Sequence, residues 1–169
     1  IGFLVAGLVR WGDVNSGVNW GVVLLYGAAI SLGVQMKNTG AAVWVAQNFL
    51  AFLKPLGMED GNGLWGAVSV LTTAVTNTMS NGAAVAVLGP IVLKLATVAG
   101  ESPIILGFIT AVSSAFAYLT VVGTPACTIV YASGYLKATD FLKVGWKMCI
   151  MSIIVMLVAA YLYWPLIGA

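Results

Sequence analysis

The sequence predicts an all-α polytopic membrane protein organised around a re-entrant helical hairpin and a broken transmembrane helix. Three observations carry this. Of 169 residues, 61% are hydrophobic and 7% charged, against about 25% charged in an ordinary soluble domain, so the chain is composed for lipid. Uncharged stretches of about 20 residues, long enough to cross a roughly 30 Å hydrocarbon layer as helix, recur along it. Two of the apolar regions are interrupted, by "TNTMSNG" at 76–82 and by "GTP" at 123–125. The net charge of +2 is small and dispersed, with no block of Lys or Arg suited to nucleic acid, so no nucleic-acid partner is expected. Cys127 and Cys149 stand without a CxxC pair or any histidine, so they read as small buried apolar residues rather than zinc ligands or a disulfide framework.

Taken in order, residues 1–9 (IGFLVAGLV) are apolar from the start and lack the basic and cleavage regions of a signal peptide, so they read as a helix remnant and the chain as a fragment. Residues 18–36 form a span, and 38–53 a short span or a helix partly in the interface. Residues 64–99 are two apolar arms joined through TNTMSNG. With polar residues and Gly82 at the join, they read as a re-entrant hairpin, because irregular backbone at membrane depth is tolerated only where protein or a watery cavity covers it. Residues 104–136 form a span broken near Gly123: Pro125 cannot supply the amide that continues a helix but suits a first turn, so a new helix is expected to start there. Residues 143–167 form the last span.

Orientation follows from the basic residues. Lys37, Lys137, Lys143 and Lys147 fall on one side of the proposed spans, and Arg10 and Lys54 on the other with Asp13, Glu59, Asp60 and Glu101; Lys94 can snorkel to that second side. Enrichment of Lys and Arg in cytoplasmic loops makes the first side cytoplasmic, so the hairpin enters from outside and the C-terminus is extracytoplasmic. Trp11, Trp20, Trp146 and Trp164 lie near span ends, where indole rings gather.

The polar tip has a definite chemistry. A first arm ending near Thr76 to Ser80 exposes carbonyl oxygens and the negative end of its dipole; a second arm starting near Gly82, and another helix starting at Pro125, expose N–H groups and positive ends. Carbonyls together with the side-chain oxygens of Thr76, Ser80 and Asn81 suit a hard cation, while the two N-termini suit an anionic carboxylate. The alternative is that these residues only bond back to their own helix or to a neighbouring one. All five acidic residues fall in proposed loops, and there is no histidine, so the coupling ion expected is sodium rather than a proton.

These residues carry a resemblance. The runs "NWGVVLLYGAAISLG" (19–33), "TGAAVWVA" (39–46), "TNTMSNGAAVAVLGP" (76–90) and "GTPACTIVYASGYLKATDFLKVGW" (123–146) resemble the C-terminal half of the divalent anion/sodium symporters, over nearly the whole chain. The resemblance implies one inverted repeat of a homodimeric secondary transporter of dicarboxylate, citrate or sulfate. The partners implied are a small anionic substrate, the lipid of a bacterial inner membrane and a missing N-terminal repeat needed to complete the substrate site. It implies sodium ligands at Thr76, Ser80, Asn81 and Gly123, and substrate contacts at Ser80, Asn81, Gly82, Thr124 and Pro125. No organic cofactor and no enzyme activity are implied. Gly82 stands where the family's Ser-Asn-Thr tip motif has Thr, and Ala126-Cys127 where Pro-Asn often follows. A register placing Thr76-Asn77-Thr78 on the motif restores the Thr but spoils the spacing to Pro90. A sodium/proton antiporter or arsenite exporter of similar architecture, or a structural membrane subunit, remain the competing readings.

Overall fold

A computed structural model of the chain describes residues 2–17, 20–121 and 123–164. Among these, the regular structure is helical throughout. In order come α1 (Gly2–Val5), α2 (Trp11–Gly17), α3 (Trp20–Asn38), α4 (Ala41–Leu53) running into a single 3₁₀ turn (Lys54–Leu56), and α5 (Gly61–Thr76). They are followed by α6 (Asn81–Ala99), α7 (Pro103–Ser113), α8 (Pro125–Ala132) and α9 (Ala138–Leu162). The first residues of the expected 18–36 span, and the last of the 143–167 span, lie outside the described residues. Two helices, Asn81–Ala99 and Ala138–Leu162, are long and apolar enough to cross a bilayer.

The helix periodicity explains the core. On α6 the buried residues Leu88, Val92, Leu95 and Ala96 recur at helical spacing, and they meet Leu64 and Val68 of α5, Leu106 and Ile109 of α7, and Met156 and Ala160 of α9. The helix α6 is the central wall, packed on α3 and α4 as well as on α5 and α7. Where α3 crosses it, Gly33 lies against the ring of Pro90: a Cβ at Gly33 would sit 2.7 Å from Pro90 Cγ.

Helices α5 and α7 run side by side in the same direction, and three contacts along their length fix the register. At one end Glu101, in the turn before α7, accepts hydrogen bonds from the Gly61 N–H (2.8 Å) and the Trp65 indole (3.3 Å) at the start of α5. Ser69 Oγ, midway along α5, lies 2.7 Å from Ser113 Oγ on the last residue of α7. At the far end the Thr76 hydroxyl reaches Ser114 O at 2.6 Å. Gly100, at φ 76° in the left-handed region, ends α6 and lets the chain turn back sharply enough for Glu101 to reach α5.

Two boundaries differ from the sequence reading. Helix α7 stops at Ser113, well short of Gly123, and the chain from Ser114 to Thr124 is unwound, with Val122 outside the described residues. The physical reason is that side chains from elsewhere satisfy its backbone, as described below. Helix α9 starts at Ala138 rather than 143, because Asp140 Oδ2 accepts the Lys137 N–H at 3.0 Å and caps it there.

Glu101 places a carboxylate on unpaired N–H groups at the positive end of α5, so Glu101→Ala should destabilise the protein by about 1–2 kcal/mol. Glu101→Gln, which keeps an acceptor without the charge, should recover part of that loss. Thermal unfolding of the full-length protein checks both, and an unchanged midpoint for Glu101→Ala would show that the latch contributes nothing.

Candidate functional site

The buried faces of α5 and α7 change character along their length. Both begin apolar, with Leu64 and Val68 on one and Leu106 and Ile109 on the other, and both turn polar toward their C-terminal ends, with Ser69, Thr72, Thr73 and Thr76 facing Thr110 and Ser113. The Thr110 hydroxyl bonds back to Leu106 O at 2.9 Å. The hydroxyls of Thr72 and Thr73 are buried without a partner among the described residues. The polar seam leads to the point where α5 ends, the chain turns through 77–80, and α6 begins.

Asn77 organises this point. Its Nδ2 donates to Thr73 O (2.7 Å) and to Phe116 O (3.2 Å), and its Oδ1 accepts the Leu119 N–H at 2.8 Å. Only one orientation of the amide satisfies two carbonyls and one N–H in this way. Its own carbonyl accepts the Thr120 hydroxyl at 3.1 Å. One buried residue thus ties the turn between α5 and α6 to the unwound segment after α7.

The unwound segment is held from its other side as well. The Cys149 thiol of α9 donates to Phe116 O at 3.3 Å, and the Cys127 thiol of α8 to Ala117 O at 3.7 Å. Both thiols are free, and they act as weak donors to successive carbonyls rather than as the purely apolar residues the sequence suggested. Gly145 of α9 is the point of closest approach. A Cβ there would collide with Tyr118 O and lie 2.7 Å from the Tyr118 carbonyl carbon, so only glycine lets this backbone pass.

Thr76 and Asn81 are brought together by this framework. Thr76 Oγ1, fully buried, lies 3.0 Å from Asn81 Oδ1 and 2.6 Å from Ser114 O. One hydroxyl proton is shared among three oxygens. With the proton on the shorter contact to Ser114 O, Thr76 Oγ1 and Asn81 Oδ1 face each other lone pair to lone pair. The C-terminal ends of two parallel helices, α5 and α7, converge here, each carrying roughly half an elementary negative charge. Neutral oxygens of this kind are the donor type that small hard cations take.

The remaining predicted residues divide into two groups. Ser80 is the exposed N-cap of α6, its Oγ accepting the Ala83 N–H at 3.4 Å; Asn81 and Gly82 form the first turn behind it, half-buried. Thr124 is the N-cap of α8, its Oγ1 accepting the Cys127 N–H at 3.2 Å, with Pro125 at the first helical position. Gly123 is buried beside Ala117 O and Thr120 Oγ1. Among the described residues no hydrogen bond joins Ser80, Asn81 or Gly82 directly to Gly123 or Thr124. The link runs instead through Thr120 and Asn77. The sequence brings in Asn77 only through the alternative register and does not single out Ser114 or Thr120. The one available signal was that Thr73, Thr76 and Asn77 share a helix face at i, i+3 and i+4.

A family model described as the sodium:sulfate symporter transmembrane region matches residues 1–169. The chain is similar to a sodium-dependent high-affinity dicarboxylate transporter of Caenorhabditis elegans, at 32% identity over 164 residues, covering 95% of this chain and 28% of that protein. It is similar to the Na(+)/citrate cotransporter of Rattus norvegicus, at 28% identity over 146 residues, covering 86% and 25%. To an uncharacterized transporter of Haemophilus influenzae it is 28% identical over 162 residues, covering 94% and 34%. The chain therefore spans about a third or less of the length of these curated relatives.

Replacing Asn77 by Leu keeps the volume but leaves Phe116 O and the Leu119 N–H buried without this partner, which should cost about 2–4 kcal/mol. The expected result is a clearly lowered unfolding midpoint for the full-length protein, with Gly145→Ala lowered as well because the same segment must move. A wild-type midpoint for Asn77→Leu would mean that the segment is held by other contacts.

Proposed function

The chain belongs to the sodium:sulfate symporter family, whose members are integral membrane transporters and not enzymes, and from that premise we propose that it is one repeat of a sodium-coupled carrier of small divalent anions. Dicarboxylate, citrate and sulfate are the candidate substrates. In this reading α5 and α6 form a re-entrant hairpin entering from outside a bacterial inner membrane. The segment from α7 to α8 is the broken helix, an N-terminal inverted repeat completes the substrate site, and two copies make the working dimer. The C-terminus lies on the extracytoplasmic side.

The observation that carries the reading is the convergence of Thr76, Asn81 and Ser114 O at the joint end of α5 and α7. The sodium ligands in this reading are Thr76, Ser80, Asn81 and the carbonyl of Gly123, whose segment is tied to the turn through Thr120 and Asn77. Two negative helix ends of roughly half a charge each balance one monovalent cation. Without the ion, the Asn81 amide can turn so that Nδ2 donates to Thr76 Oγ1. With it, Oδ1 must face inward, so cation binding selects one state of the amide.

Coupling to the anion follows from the position of Asn81. It is the first residue of α6, so its side chain serves the cation while its backbone N–H belongs to the positive helix end that receives the substrate. The second positive end is that of α8. Thr124 caps it, Pro125 has no N–H to offer, and the next free donor is the Ala126 N–H. Substrate oxygens are held by Ser80, Asn81 and Gly82 on one side and by Thr124 and Pro125 on the other. Because Gly82 lacks the hydroxyl of the family motif, backbone N–H groups carry more of the recognition at that position.

Reconstituted into liposomes, the full-length protein should accumulate labelled succinate, citrate or sulfate when a sodium gradient is imposed. The response to pH should be flat apart from ionisation of the substrate, since no side chain proposed for the site titrates near neutrality. Asn81→Ala should weaken activation by sodium about tenfold or more, the equivalent of one charge-assisted contact of roughly 1.5–3 kcal/mol, while expression is preserved. Uptake driven by a pH gradient without sodium, or unchanged sodium activation in Asn81→Ala, would overturn the cation assignment.

A further inference from the structure

A groove on the side of α6 away from the proposed transport site has the form of a receptor for a lipid. A cavity of about 490 Å³ is lined by Gly33 of α3, Ala42 and Val43 of α4, and Pro90, Leu93, Lys94 and Thr97 of α6. A second, of about 260 Å³, shares Pro90 and Leu93 with it and is walled by Ala29, Ile30, Val85, Ala86 and Gly89. The walls are apolar except at Lys94 and Thr97. The Thr97 hydroxyl is already used, donating to Lys94 O at 2.7 Å. Lys94 is the single charge, and among the described residues it has no carboxylate within salt-bridge distance.

Position along α6 identifies the occupant. Lys94 lies thirteen residues after Asn81, which is about 20 Å along a helix axis. With the tip near the middle of the bilayer, as the transport reading has it, that distance carries the ammonium past the roughly 15 Å half-thickness of the hydrocarbon and into the headgroup layer. From there the groove descends about 14 Å along α6 to Val85, roughly 6 Å from the midplane, so that its part below Ile91 lies at hydrocarbon depth. We propose that this groove binds one anionic phospholipid, its phosphate paired with Lys94 and an acyl chain passing over exposed Leu93, which lines both cavities, into the second one at Gly89, beside the point where Gly33 closes on Pro90. A snorkelling lysine alone meets whichever headgroups pass by. The cavity below Lys94 turns that encounter into a seat, because it accepts a chain at the place where the headgroup is held. The depth argument rests on the hairpin tip being at mid-membrane, but the site does not depend on which anion is transported or on sodium.

The test uses the full-length protein purified in a mild detergent, with phosphatidylglycerol or phosphatidylcholine added and lipid retention read by native mass spectrometry. Wild type should retain phosphatidylglycerol in preference to phosphatidylcholine. Lys94→Gln should reduce that preference about fivefold, the value of one basic side chain at an anionic surface, whereas Lys143→Gln, an exposed residue paired with Asp140, should leave it intact. Gly89→Leu fills the deeper cavity at a position where an added Cβ meets no atom within 4 Å, so it should fold and lose retention of both lipids. Excess inorganic phosphate should not displace the lipid, because it lacks the chain. Equal retention of the two lipids by wild type, or an unchanged preference in Lys94→Gln, would refute the headgroup contact. Retention untouched by Gly89→Leu would show that protein, a second copy or another part of the chain, fills the groove instead.

Discussion

Unwound backbone in an apolar protein interior must find a partner for every N–H and C=O, and the rest of this structure depends on how that demand is met between Ser114 and Thr124. An unpaired group in such a setting costs on the order of a few kcal/mol. The solution is distributed over three elements. Thr76 and Asn77 at the end of α5 take Ser114 O, Phe116 O and the Leu119 N–H, and thiols of α8 and α9 reach Ala117 O and Phe116 O. The Thr128 hydroxyl lies 2.9 Å from Val121 O. Because the same residues that satisfy the break also end α5, the turn after α5 and the break after α7 are parts of one construction.

That construction explains the electrostatics without invoking any buried charged side chain. Two parallel helices, α5 and α7, end together because Glu101 at their N-terminal ends and the Thr76–Ser114 contact at their C-terminal ends fix their register. Their negative ends therefore add at one place, while the positive ends of α6 and α8 begin nearby in sequence, each behind a hydroxyl cap. A site with both signs of field is built from peptide dipoles and neutral oxygens. In a low-dielectric environment such fields cost less to maintain than ionised side chains do.

Much of this was legible in the sequence, and the part that was not has a common cause. TNTMSNG announced a polar turn between two apolar arms, and Pro125 behind Thr124 announced a helix start, because Pro at the first helical position and hydroxyl caps are local signals. The premature end of α7 carried no such signal: residues 113–117 are ordinary helix formers and small polar residues, and what unwinds the chain after them is Asn77, some forty residues earlier. By residue type Cys127 and Cys149 are small and apolar, and only their placement beside two successive carbonyls makes them donors. Glu101 is a loop charge by sequence, and only the fold brings it to the start of α5. Local chemistry marks where elements begin and turn, while long-range hydrogen bonds decide where they stop.

The contact at Gly145 sets the mechanical character of the assembly. There α9 touches the unwound segment backbone to backbone, with no side chain between Gly145 and the Tyr118–Leu119 peptide. Side chains in an interface can change rotamer and absorb a shift of one element against another, whereas two peptide backbones in van der Waals contact have no such compliance. Any displacement of α9 at Gly145 is therefore passed directly to the Tyr118–Leu119 peptide, whose N–H Asn77 holds. The contact between α9 and the unwound segment behaves as a strut, not a spring.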